Sequence, residues 1–113
     1  PRIHPADEAG IRKTFSEAVN LTVSEIEDWL ETDESKAVGF HRRGEPESVG
    51  RQSARRIIEI LETSDEDLTE SDYVHMRKVV GYIHRHRAQR PRGDVTGTRW
   101  RWSLMNWGHD PLS

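Results

Sequence analysis

An all-α fold is what this sequence predicts, and three observations carry that prediction. Apolar residues recur at three- and four-residue intervals in one segment after another. Ser or Thr stands just ahead of most of these segments, where a helix N-cap belongs. Gly and Pro punctuate the gaps, and no run makes a convincing strand. At 113 residues the chain is expected to form a single compact domain, 1–113, of four to five helices.

Residues 1–6 are expected to be a flexible N-terminus. Ile11, Phe15, Ala18 and Val19 then mark one face of a helix over about 7–19, with Asp7 and Glu8 at the end where acidic groups favour the helix dipole. Asn20 breaks the run. Thr22 followed by Glu25 is a capping-box pattern, opening a short helix at about 23–32 with the stripe Val23, Ile26, Trp29 and Leu30. Its other face, with Glu25, Glu27, Asp28 and Glu31, is strongly acidic. Residues 33–47 hold Gly39, Gly44 and Pro46 among charges, with Val38 and Phe40 as the large apolar groups, and read as a long loop.

Ser48 caps the next helix, at about 49–63, where Gly50, Ala54, Ile57 and Leu61 share a face and the small residues admit a close helix partner. Thr69 with Asp72 opens the longest helix, about 70–89, which Pro91 stops. Tyr73, Met76, Val80 and Ile83 form its core stripe, and Arg77, Lys78, Gly81, His84 and Arg85 share a different face. This long basic helix is expected at the centre of the domain. Residues 90–97 form a Pro/Gly-punctuated linker, and the Val95–Trp102 stretch is compatible with some extended structure. Thr98 caps a short Trp-rich final helix with Trp100, Leu104 and Trp107 on one side and Gly108 past its end.

Charge is sorted along the chain. Residues 1–70 carry 9 Lys/Arg against 17 Asp/Glu, and residues 71–113 carry 8 against 3, so a net of −8 precedes a net of +5. The last third also holds four of the six histidines and three of the four tryptophans. Such polarity points to an anionic partner. The candidate binding residues are Arg77, Lys78, Arg85, Arg87, Arg90 and Arg92, assisted by Arg99 and Arg101, because a run of cations tracking a phosphate backbone releases condensed counterions. The competing use of the same charges is to solvate one face and pair with the acidic first half. The string Gln89-Arg90-Pro91-Arg92-Gly93 resembles an AT-hook core in altered order and a single copy, and also serves as an ordinary linker.

Other classes are disfavoured. Zero cysteines exclude disulfides and thiol chemistry, no run approaches the length of a membrane span, and a cytoplasmic location, or a nuclear one in a eukaryote, is expected. His84 and His86 are two apart on a helix and point in different directions, so no metal or other cofactor is expected. His75 and His84 read as surface residues that charge below about pH 6.5. Trp29, Trp100 and Trp107 read as core, with Trp102 off the stripe. No nucleophile, phosphate loop or carboxylate pair is positioned for catalysis, so an enzyme is not expected.

Several strings together resemble a known family. They are Asp67-Leu68-Thr69, Met76 to Val80, Ser48-Val49-Gly50-Arg51, Trp29-Leu30, and above all Arg99 to Pro111 with its Trp-Gly-His-Asp-Pro ending. With Phe15, Val19, Asn20 and Glu25, the chain resembles domain of unknown function 3140, a family of small bacterial and fungal proteins. Members are often labelled DNA-binding, and some occur with a small Tudor-like barrel. The resemblance implies a nucleic-acid role and a possible Tudor-like partner domain. The reading is therefore a non-enzymatic nucleic-acid binder, DNA first, with a protein–protein adaptor or homodimer as the alternative.

Overall fold

The computed structural model describes residues 2–113, and within them the fold is entirely helical, with no strand. Six helices run in order: α1 (Glu8–Ala18), α2 (Val23–Leu30), α3 (Asp33–Ala37), α4 (Val49–Leu61), α5 (Glu70–Arg87) and α6 (Arg99–Asn106). Short 3-10 turns at Pro5–Asp7 and Asp65–Asp67 complete the set. The expected caps are all in place. In α2, Thr22 Oγ1 accepts from Glu25 N at 3.1 Å while Glu25 Oε1 accepts from Thr22 N at 2.9 Å. Thr69 and Asp72 form the same reciprocal pair at the start of α5. Ser48 and Thr98 each accept from the backbone N–H three residues on, opening α4 and α6.

Several expectations need correction. The stretch 33–47 is not loop throughout, because Thr32 caps α3 by accepting from Ser35 N at 3.1 Å; the loop is confined to residues 38–48. The N-terminus expected to be flexible is packed: Ile3 is buried, its N–H donates to Glu70 at 3.3 Å, and Pro5–Asp7 is helical. Pro1 lies outside the described residues. No part of Val95–Trp102 is extended strand, since residues 99–102 are already in α6.

The centre of the domain is not α5. That helix lies chiefly against α1, whereas α6 packs against α2, α3, α4 and α5. Leu104 of α6, Ile26 of α2 and Ile57 of α4 are fully buried. Gly50 makes this convergence possible. A Cβ there would lie 3.1 Å from Trp107 Nε1 and 3.3 Å from Asn106 Cβ, so α4 and the end of α6 approach closely as the small residue suggested.

A buried polar network locks the same junction. Asn106 Oδ1 accepts from Trp29 Nε1 at 2.8 Å and from Ser35 Oγ at 2.6 Å, and its amide donates to Ser35 O. Arg51, nearly enclosed, donates to Ser35 Oγ and Leu30 O, both at 2.8 Å, and pairs with Glu47 at 3.0 Å. Four helices are thus tied through one asparagine and one arginine. Beyond α6, Gly108 takes φ +80° as a helix-terminating glycine does, and the His109 Nδ1–H donates to Ala18 O at 2.7 Å.

Candidate nucleic-acid interface

Helix α5 sets the site. Residues 77, 78, 81, 84 and 85 fall within about a third of a helix circumference, and Lys78 and Arg85, two turns apart, lie about 10 Å from each other along the axis. Arg77, Lys78 and Arg85 are exposed on this face, and Arg90 and Arg92 remain exposed where the chain leaves the helix. Between Tyr73 and Gly93 the sequence has six Lys/Arg and no Asp or Glu.

Ion pairs are more frequent in the first half of the molecule, where five of nine Lys/Arg are paired, than in the second, where among the described residues Arg101 alone is. In the first half Arg12 meets Asp65, Arg42 meets Glu45, Arg51 and Arg55 meet Glu47, and Arg56 meets Asp72. Glu47, hydrogen-bonded by Arg55 first and Arg51 second, is held down to about 2. Among the described residues, no carboxylate comes within ion-pair distance of Arg77, Lys78, Arg85, Arg87, Arg90 or Arg92.

The remaining candidates are placed differently. Arg87 is exposed but turned toward α1, where it lines a hollow with Thr14 and Glu17. Arg90 lies over the Trp100 ring, its guanidinium carbon 5.5 Å from the centroid. Arg99 donates to Ala37 O at 2.8 Å. Arg101 departs most from expectation. Its guanidinium is closed in a two-bond pair with Asp110, at 3.1 and 3.0 Å, and also donates to Thr96 O. That arginine fastens the C-terminal turn to α6.

Beside the cationic face runs a groove of about 280 Å³ between α4, α5 and α6. Lys78, Tyr82 and Arg85 form one wall, Val49, Gly50 and Trp107 another, and Phe40, 74% exposed, stands at its mouth. Sequence reasoning missed it. The signal for Phe40 was present, a lone large apolar residue beside Gly39 in a charged loop; the signal for Trp107 was not, since a tryptophan on an apolar stripe reads simply as core.

Trp107 also belongs to a stacked aromatic series along the α5–α6 seam. His75 stacks on Trp107 with centroids 6.4 Å apart, Trp107 on Tyr82 at 4.3 Å, Tyr82 on His86 at 5.2 Å, and His86 on Trp100 at 6.0 Å. The two histidines are not the surface type expected of His75. Burial first, with Arg56 and Lys78 adding, pushes His75 down to about 4, and burial also lowers His86. His75 Nε2 is hydrogen-bonded to Ser53 Oγ at 3.0 Å, which ties α5 to α4.

Among the described residues no group of three or more His, Asp or Glu side chains is arranged to hold a metal ion. No helix of the described residues is long and apolar enough to cross a membrane. No curated protein and no solved structure matches the chain. The model of the family described as protein of unknown function (DUF3140) matches residues 14–105, most of the sequence, and the chain belongs to that family.

Proposed function

We propose that the protein is a nucleic-acid-binding domain, DNA first, that acts through phosphate contacts and without catalysis. One observation carries this reading: Arg77, Lys78, Arg85, Arg87, Arg90 and Arg92 are exposed and carry no carboxylate partner, while five arginines of the acidic half are paired. A chain with a net charge of −3 has ample carboxylate to neutralise its cations. Leaving Arg77, Lys78, Arg85, Arg90 and Arg92 unneutralised along α5 and the segment after it, with Arg87 on the α1 side, creates a local positive field that favours a polyanion. Arg101 drops out, and Arg99 contributes at most from the edge.

The test is a gel-shift titration of duplex DNA at low and rising salt. Replacing Lys78, Arg85 and Arg92 with Ala is expected to weaken binding and to flatten the plot of log K against log salt by about 0.9 for each phosphate left without its cation, up to about 2.7. All three side chains are exposed, so the variant keeps its fold, which circular dichroism checks. Wild-type protein that shifts no duplex at low salt sinks the reading. A salt-sensitive dimer seen by light scattering under the same conditions would favour the adaptor instead.

A further inference from the structure

The exposed arginines account for backbone contact but leave the neighbouring groove unused. Every polar side chain on its walls is a cation, a neutral donor or an amide, and no carboxylate lines it. Lys78 and Arg85 supply two positive charges. Trp107 is 5% exposed, and its indole nitrogen lies beside Gly50, where a Cβ would be 3.1 Å away. Gly50 also belongs to the first turn of α4, the positive end of a 13-residue helix.

At the mouth, Phe40 offers a bare ring, held by firm neighbours. Val38, two residues before it, is 2% exposed, and Phe40 O accepts from Val49 N at 2.7 Å. An exposed aromatic on an anchored loop, next to two cations and an indole N–H, fits a ligand with one flat end and one anionic end. Small-molecule pockets begin at roughly 300 Å³, so a groove of about 280 Å³ suits a single unit of that kind.

We infer that the groove binds one nucleoside phosphate unit, with its phosphate held by Lys78 and Arg85 and its base stacked on Phe40. The unit comes either from an unpaired strand or from a free nucleotide. This builds on the nucleic-acid reading and makes it specific: bases in an intact duplex are stacked on each other and unavailable to Phe40, so an unpaired strand is preferred.

Isothermal titration calorimetry on the whole chain tests it, using a single-stranded oligonucleotide, its duplex, deoxyadenosine monophosphate, deoxyadenosine and inorganic phosphate. The single strand is expected to bind at least about tenfold more tightly than the duplex, and the monophosphate to bind where the nucleoside does not. Phe40→Ala, at an exposed position, is expected to lose about tenfold in single-strand affinity while leaving duplex affinity unchanged. Duplex bound as tightly as single strand, with Phe40→Ala neutral, overturns the groove and leaves the phosphate-backbone reading standing. Monophosphate bound with neither oligonucleotide upholds the groove, assigns it a free nucleotide and overturns the nucleic-acid reading. Inorganic phosphate bound as tightly as the monophosphate removes the role of Phe40 and overturns the inference.

Discussion

Gly81 sits inside α5, where glycine costs up to ~1 kcal/mol against alanine. A Cβ at that position would meet only the guanidinium of Arg85, 2.9 Å from its nearest nitrogen, so what fills the space is neither a helix nor any backbone but the tip of a mobile side chain. Gly81→Ala is therefore expected to raise stability by roughly 0.5–1 kcal/mol, a Tm increase of about 3–5 °C in a thermal melt, while displacing Arg85. A lowered Tm would mean that the resting position of Arg85 is structural. Asn106 is the opposite case. Asn106→Ala strands the Trp29 N–H, the Ser35 hydroxyl and the Ser35 carbonyl. A loss of about 2–4 kcal/mol is expected in urea unfolding. At this scale the sequence was legible where chemistry is local, as with the capping residues. It was not legible at Val79, buried in place of Val80, or at Ile60, buried in place of Leu61. Both choices satisfy three- and four-residue spacing, and which one faces inward depends on where the neighbouring helices lie.

At the scale of the helix, five of the six elements were readable because each carries an amphipathic stripe, opened in α2, α4, α5 and α6 by a Ser or Thr cap and in α1 by an acidic first turn. The sixth, α3, is five residues long and has no stripe; its Thr32 cap and acidic first turn were visible but look like ordinary charged loop. The pairing of α4 with α5 brings a pH dependence that no single helix foretells. An unfolded histidine titrates near 6.5, whereas folded His75 resists protonation down to about 4. The neutral form is thus favoured by folding, and its contribution is complete above about pH 6.5 and withdrawn as pH falls toward 4. Glu47 acts lower. Its folded value of about 2 against 4.5 means that its contribution is present above 4.5 and lost between there and 2. Urea midpoints measured across this range are expected to fall in two stages. His75→Gln should flatten the first and Glu47→Gln the second; an upper stage unchanged in His75→Gln would assign it to His86 or His109, whose values burial also lowers.

For the whole molecule, helix content, the single domain and the charge polarity follow from the chain read linearly, but its hub does not. A long helix looks central in a sequence; here the eight-residue α6 is, because Gly50 lets it approach α4 and the Asn106 network draws α2, α3 and α4 onto it. Hydrogen exchange is expected to be slowest around Leu104 and Ile57, both fully buried, and fastest in residues 39–47, where most side chains are exposed. Faster exchange in α6 than in α5 would contradict this arrangement. The stacked seam of His75, Trp107, Tyr82, His86 and Trp100 has an optical consequence. Indole emission is quenched by a neighbouring imidazolium and shifts when water is displaced from the ring. Two tryptophans lying against two histidines, one of them on the wall of the groove, therefore give the molecule a built-in reporter of acidification and of occupancy, readable without any attached dye.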